Sequence, residues 1–155
     1  MRIAFALAVI LYLIPESLLM TGTPVSPAER EQLIEAARQA LLRAYAPYSN
    51  FHVGAAVLTD QGQIYTGCNV ENASYGLTIC AERAAIFTAV QKTHGKLALR
   101  AVAVANRAQV PCSPCGACRQ VIAEFGEDVL VIFQGKTGFQ ESTIADLLPE
   151  GFRLS

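Results

Sequence analysis

From Ser26 onward the apolar positions recur in segments whose spacing alternates between that of a helix and that of a strand. Ser26-Pro27-Ala28-Glu29 reads as a helix start, with serine as N-cap, proline at the first helical position and glutamate three residues after the cap. Leu33, Ile34, Ala37, Leu41 and Leu42 then follow at helical spacing to about Ala44, and Pro47 stops the run. Val53–Thr59 and Gln63–Cys68 flank the turn Asp60-Gln61-Gly62 and predict a β-hairpin. Asn69–Thr78 is polar and predicts a loop. A helix is expected over Cys80–Gln91, with Ala84, Ala85 and Val90 inward, then a strand over Leu99–Asn106. Beyond the loop Pro111–Cys115 the pattern predicts a helix over Gly116–Phe125 and a wholly apolar, doubly covered strand over Val129–Phe133. A short helix, Ile144–Leu148, ends at Pro149. Strands alternating with helices in this order predict an α/β sandwich of three layers around a mixed sheet, antiparallel at the hairpin and parallel where helices intervene.

Composition narrows the function. With 155 residues, 52% apolar and 16% charged, the chain is long enough to bury a core and too apolar to stay disordered. Twelve basic and thirteen acidic residues leave a net charge of −1, which offers no electrostatic reason for a nucleic acid or an anionic membrane as partner. Residues 1–19 stand apart. Twelve uncharged apolar residues run from Ile3 to Ile14, too few for the ~20 that a spanning helix needs. They suit either a targeting segment or sequence upstream of a start at Met20. Both readings set the apolar extension 1–19 outside the fold and place the folded domain in 20–155.

The cysteines carry the chemistry. There are five, and three of them fall within Cys112–Cys118, which is no disulfide framework. Cys115 and Cys118 form a Cys-x-x-Cys around one helix start, and Cys80 stands at another. Helix N-termini favour thiolate, the metal-binding form. Three protein ligands leave a fourth tetrahedral position open, as in catalytic zinc sites. Glu82, two residues past Cys80, can hold a water there and move protons. This pattern resembles the zinc-deaminase signature, in which a ligand and x-Glu precede Pro-Cys-x-x-Cys.

Four stretches extend the likeness: AYAPYSNFHVGAAV (Ala44–Val57), GCNVENASYG (Gly67–Gly76), CAERAA (Cys80–Ala85) and SPCGACRQV (Ser113–Val121). Together they resemble the small homotetrameric cytidine deaminases with all-cysteine zinc ligands. The resemblance implies a three-layer α/β/α sandwich with a mixed five-stranded sheet. It also implies one Zn²⁺ per chain on Cys80, Cys115 and Cys118, and Glu82 as the catalytic acid and base. The expected reaction is hydrolytic deamination of cytidine and 2′-deoxycytidine, with zinc-activated hydroxide adding to C4 and ammonia leaving, in cytoplasmic pyrimidine salvage. Phe51 would face the pyrimidine, Asn69 and Glu71 the ribose hydroxyls, and the Ala73 backbone the base carbonyl. Tyr75 and Phe152 would complete a neighbouring subunit's site. Arg83 would draw charge from the sulfurs, oriented by Gln120, and Gly116 would permit a tight turn. The preference between cytidine and deoxycytidine is not set by these motifs.

Other readings stay open on the residues alone. Cys112 and Cys115 form a second possible ligand pair. His52 and His94 lack ligand spacing to the cysteines, and Cys68 reads as an ordinary small buried residue. A deaminase of an aminoglycosyl-pyrimidine antibiotic or of a nucleic acid would share the motif. A closed zinc module would want a fourth ligand, and a thiol redox protein would need neither Glu82 nor Cys80.

Overall fold

A computed structural model describes residues 24–153; the extension 1–19 lies outside them. Helix α1 (Pro27–Leu41) starts on a complete capping box, in which Ser26 accepts from the Glu29 amide and the Glu29 carboxylate accepts from the Ser26 amide. The hairpin β1 (Val53–Thr59) and β2 (Ile64–Cys68) follows, then a single 3₁₀ turn at Tyr75–Leu77 and helix α2 (Ala81–Lys92). Strand β3 (Leu99–Asn106), helix α3 (Gly116–Glu124), strands β4 (Leu130–Gly135) and β5 (Gly138–Thr143), and the four-residue helix α4 (Ile144–Leu147) complete the order.

The sheet has five strands in the order β2-β1-β3-β4-β5. β1 is antiparallel to both β2 and β3, β3 and β4 are parallel, and β5 returns antiparallel to β4. The mixed five-stranded sheet is therefore present. The hydrophobic pattern alone yielded four strands, because Gly138–Thr143 is a polar edge whose residues are all partly or wholly exposed.

Strand alternation divides the core into two. On one face Val53, Ala55 and Val57 of β1 and Val102 and Val104 of β3 pack with Ala85, Ile86 and Ala89 of α2 and Ile122 of α3. On the other, Ala56, Leu58, Ala101 and Ala103 meet Leu33, Ala37 and Leu41 of α1. Full burial of a side chain such as Ile86 or Leu33 stabilises the fold by about 1.5–3 kcal/mol. Close helix–sheet approach depends on two glycines. A Cβ on Gly54 would lie 2.1 Å from the Ala37 carbonyl oxygen of α1, and one on Gly67 would lie 2.3 Å from the Ala85 nitrogen of α2. Gly67 thus sets how near the N-terminal turns of α2 come to β2.

Candidate zinc site at two helix N-termini

Two helices that face the same side of the sheet begin on cysteine. Cys80 is the N-cap of α2 and Cys115 the N-cap of α3, and neither side chain caps its helix. Cys118 lies in the first turn of α3 and is fully buried. Cys115 Sγ stands 4.0 Å from Cys80 Sγ and 3.5 Å from Cys118 Sγ, and all three sulfurs lie within 4.8 Å of one another. Tetrahedral zinc–sulfur bonds near 2.3 Å imply sulfur–sulfur separations of about 3.8 Å. The donor set fits zinc. No other such group of three occurs among the described residues, and the group that could hold a metal contains Cys115 and Cys118 but not Cys112. Gly116 is not needed for a tight turn, since a Cβ there would meet nothing within 4 Å.

Such crowding has an electrostatic consequence. The hydrogen bond from Cys118, followed by that from Arg83, draws the Cys80 thiol down to about 5. Cys118 is pushed far up, first because its proton is held against Cys80 and then by burial. One thiolate is stable here; three need a cation. Arg83 Nη2 donates to Cys80 Sγ at 3.6 Å and to the Thr78 carbonyl at 3.2 Å. Its Nε is buried without a partner. Glu82 is only 5% exposed, and burial raises its carboxyl above the usual range, with the nearby Cys80 charge adding to the effect.

The loop into Cys80 is closed by reciprocal bonds between Val70 and Ile79, each 3.0 Å, which brings Asn69 and Glu71 toward the start of α2. Asn69 Oδ1 accepts from the Val53 amide at 2.8 Å, and its Nδ2 donates to the Phe51 carbonyl at 2.9 Å. Glu71 accepts from the amides of Tyr48 and Ser49 at 2.9 and 3.2 Å and from the Ser49 hydroxyl. The Ser49 bond is the chief cause holding its carboxyl below the ordinary value.

Phe51, Asn69 and Glu71 are thus joined by hydrogen bonds through Ser49 and the backbone, whereas Ala73 and Tyr75 are exposed. Tyr75 packs edge-on to Tyr48, with centroids 6.3 Å apart. Gln120 does not orient Arg83 as expected. Its Nε2 donates to the Phe152 carbonyl at 2.8 Å and holds the C-terminal segment on α3, with the Phe152 side chain exposed. Arg83 is held instead by Thr78 and Cys80.

Sequence reasoning missed three supports. Thr78 anchors Arg83, and Ser49 bonds both Glu71 and Phe51. Arg119 fixes the approach to Cys115 by donating to the carbonyls of Pro114 (2.8 Å) and Leu147 (2.9 Å) and to the Ser113 hydroxyl (3.2 Å). No periodicity marks these residues. Their only signal is that Ser49 and Arg119 lie inside the matched stretches.

Cys112 Nα donates to the Gln134 carbonyl and its sulfur lies outside the cluster; Cys68 donates to the Arg43 carbonyl. His52 Nδ1 is 3.1 Å from the Asn50 carbonyl, and neither histidine joins the sulfurs. Among the described residues no helix is long and apolar enough to cross a membrane.

An open three-sulfur zinc centre with an adjacent buried carboxyl, set where the helices of an α/β/α sandwich begin, belongs to the zinc hydrolases. Residues 27–134 match the family model described as the cytidine and deoxycytidylate deaminase zinc-binding region. A cytidine deaminase of Sporosarcina psychrophila is 48% identical over 124 residues, covering 79% of this chain and 90% of its own. The crystal structure of cytidine deaminase from Burkholderia pseudomallei superposes with a TM-score of 0.71 at 48% identity, over 79% of this chain and 98% of that one. That of Mycobacterium tuberculosis gives 0.70 at 44% identity, over 81% and 98%. The chain belongs to the cytidine deaminase family.

Proposed function

We propose that the protein hydrolyses cytidine and 2′-deoxycytidine to uridine and 2′-deoxyuridine with release of ammonia. The observation that carries this reading is the three-sulfur cluster with buried Glu82 at the second position of the helix whose N-cap residue is Cys80. Cys80, Cys115 and Cys118 would hold one Zn²⁺ per chain, and the metal would supply the acidity that readies a water for attack at C4. Glu82 accepts the proton of the attacking water and returns it, first to N3 of the base and then to the departing amino group. Its raised carboxyl suits both directions of transfer. Arg83 lowers the charge that Cys80 presents.

Phe51 packs on the pyrimidine face, and the Ala73 backbone reads the carbonyl at C2. Asn69 retains one free N–H and Glu71 retains acceptor capacity for a sugar hydroxyl, once the bonds already made to Phe51, Val53, Tyr48 and Ser49 are discounted. A carboxylate at the sugar favours free nucleosides over nucleotides, and the net charge of −1 gives no track for a polynucleotide.

The active form is a cytoplasmic homotetramer serving pyrimidine salvage, in which Tyr75 and Phe152 contribute to a neighbour's site. Support for assembly comes from two exposed pairs, Tyr45 bridged to Val70 and Tyr48 packed on Tyr75. The domain is residues 20–155, and 1–19 are dispensable to it. Incubating purified zinc-loaded protein with cytidine and following the loss of cytidine absorbance, with metal content measured alongside, tests the reading. Zinc without turnover would leave a structural zinc protein, and no zinc would remove the basis of the proposal.

A further inference from the structure

The Ser49 hydroxyl bonds both to Glu71 and to the Phe51 backbone. It accepts from the Phe51 amide at 3.0 Å and donates to the Glu71 carboxylate. A hydroxyl has one proton to give, so the donation to Glu71 fixes its direction and turns a lone pair toward Phe51. Phe51 is gripped from its other end as well, where its carbonyl accepts from Asn69. The residue assigned to the base is therefore held, through one serine and one asparagine, by the two residues assigned to the sugar. Asn50, between Ser49 and Phe51, has a φ of +56°, a left-handed conformation that an L-residue other than glycine adopts at some cost. The Asn50 amide donates to the Ala46 carbonyl at 3.1 Å, and the Ser49 and Asn69 bonds fix Phe51 just beyond it.

From this juxtaposition we infer that Ser49 is the positioning residue for sugar recognition: it aims the Glu71 carboxylate at a ribose hydroxyl and registers that carboxylate with Phe51 on the base. The inference rests on the proposed assignment of Glu71 to the sugar and Phe51 to the base. Two amides would still bond Glu71 after loss of the hydroxyl, so the carboxylate would remain nearby but be free to swing. The reacting atoms are served by the zinc ligands and Glu82, which Ser49 does not touch.

The test compares kcat/KM for cytidine and for 2′,3′-dideoxycytidine, which lacks the 2′ and 3′ hydroxyls and keeps the 5′ hydroxyl, in wild type, Ser49→Ala and Ser49→Thr, at equal zinc content. Loss of a hydrogen bond to a charged group weakens binding by roughly tenfold or more. Ser49→Ala is expected to lower the preference for cytidine over the dideoxynucleoside about tenfold, through KM, with kcat for cytidine within about twofold of wild type. Ser49→Thr, which keeps the hydroxyl, is expected to retain most of the preference. Should Ser49→Ala not fold, Ser49→Cys, with a weak S–H donor, is expected to show the same change in preference. Equal losses on both substrates would make Ser49 a general loop prop and overturn the inference, as would an unchanged preference. A wild-type protein inactive on cytidine would instead strike the underlying functional reading.

Discussion

At the scale of single residues the site is governed by how three sulfurs share one small volume. Cys80 ionises first because Cys118 and then Arg83 donate to it, and Cys118 keeps its proton for the same reason. The sign of the resulting pH dependence is definite. The folded value of about 5 lies below the ordinary thiol value of 9.0, so the Cys80 thiolate forms as pH rises through about 5 and is lost below it. Metal-stripped protein is therefore expected to be alkylated by iodoacetamide at Cys80 before Cys112 or Cys118, down to about pH 5. Arg83→Ala removes a contributing donor and should move that onset upward. In the zinc-loaded enzyme the same variant should keep its metal and lose about 10–100-fold in rate, the usual cost of disturbing a residue that supports a metal ligand. Mass-mapped alkylation across pH checks the first effect and steady-state kinetics the second. An onset that does not move in Arg83→Ala would mean that the 3.6 Å contact carries no charge coupling.

At the scale of elements the sequence marks the helices and the inner strands more plainly than the edges. Ser26-Pro27-Ala28-Glu29 announces its own start, and the capping box forms as those residues imply. Helix α1 nevertheless ends at Leu41, short of Ala44, because the chain then turns to pair Tyr45 with Val70, a tertiary contact that helix periodicity cannot reveal. Strand β5 was illegible for the opposite reason. It covers β4 with backbone hydrogen bonds and contributes mainly Phe139 to the α1 side, so Gly138–Thr143 lacks an apolar alternation. The gathering of Cys80, Cys115 and Cys118 was readable from spacing and family motifs, whereas the partner of Gln120 was not, since it is a backbone carbonyl 32 residues away. Element packing gives its own prediction. Gly67→Ala places a methyl against the α2 backbone, where only a shift of the helix can relieve the clash. The expected cost is about 1–3 kcal/mol or more in stability, with weaker zinc retention because Cys80 and Glu82 ride on the displaced turn. Denaturant melts and chelator competition measure the two losses. Unchanged values for both would show that α2 does not depend on this approach.

At the scale of the whole molecule the two helix starts, the closed loop 69–79 and the C-terminal segment converge on one side of the sheet. Aromatic side chains there face solvent in the isolated chain, Tyr75 being 78% exposed. Assembly is the physical remedy for such a surface, and a tetramer is the expected species by light scattering. Tyr75→Asp should shift the population toward smaller species, and a monomeric wild type that is fully active would contradict the shared-site proposal. The account as a whole turns on Glu82 as the proton carrier beside the zinc. The decisive measurement is turnover of cytidine by Glu82→Gln, with bound zinc and thermal stability determined on the same preparation. The amide preserves shape but cannot accept a proton, so zinc should stay at one per chain, the fold should persist, and kcat should fall at least ~10²-fold. A zinc-loaded, folded variant with near-normal turnover would contradict that role for Glu82.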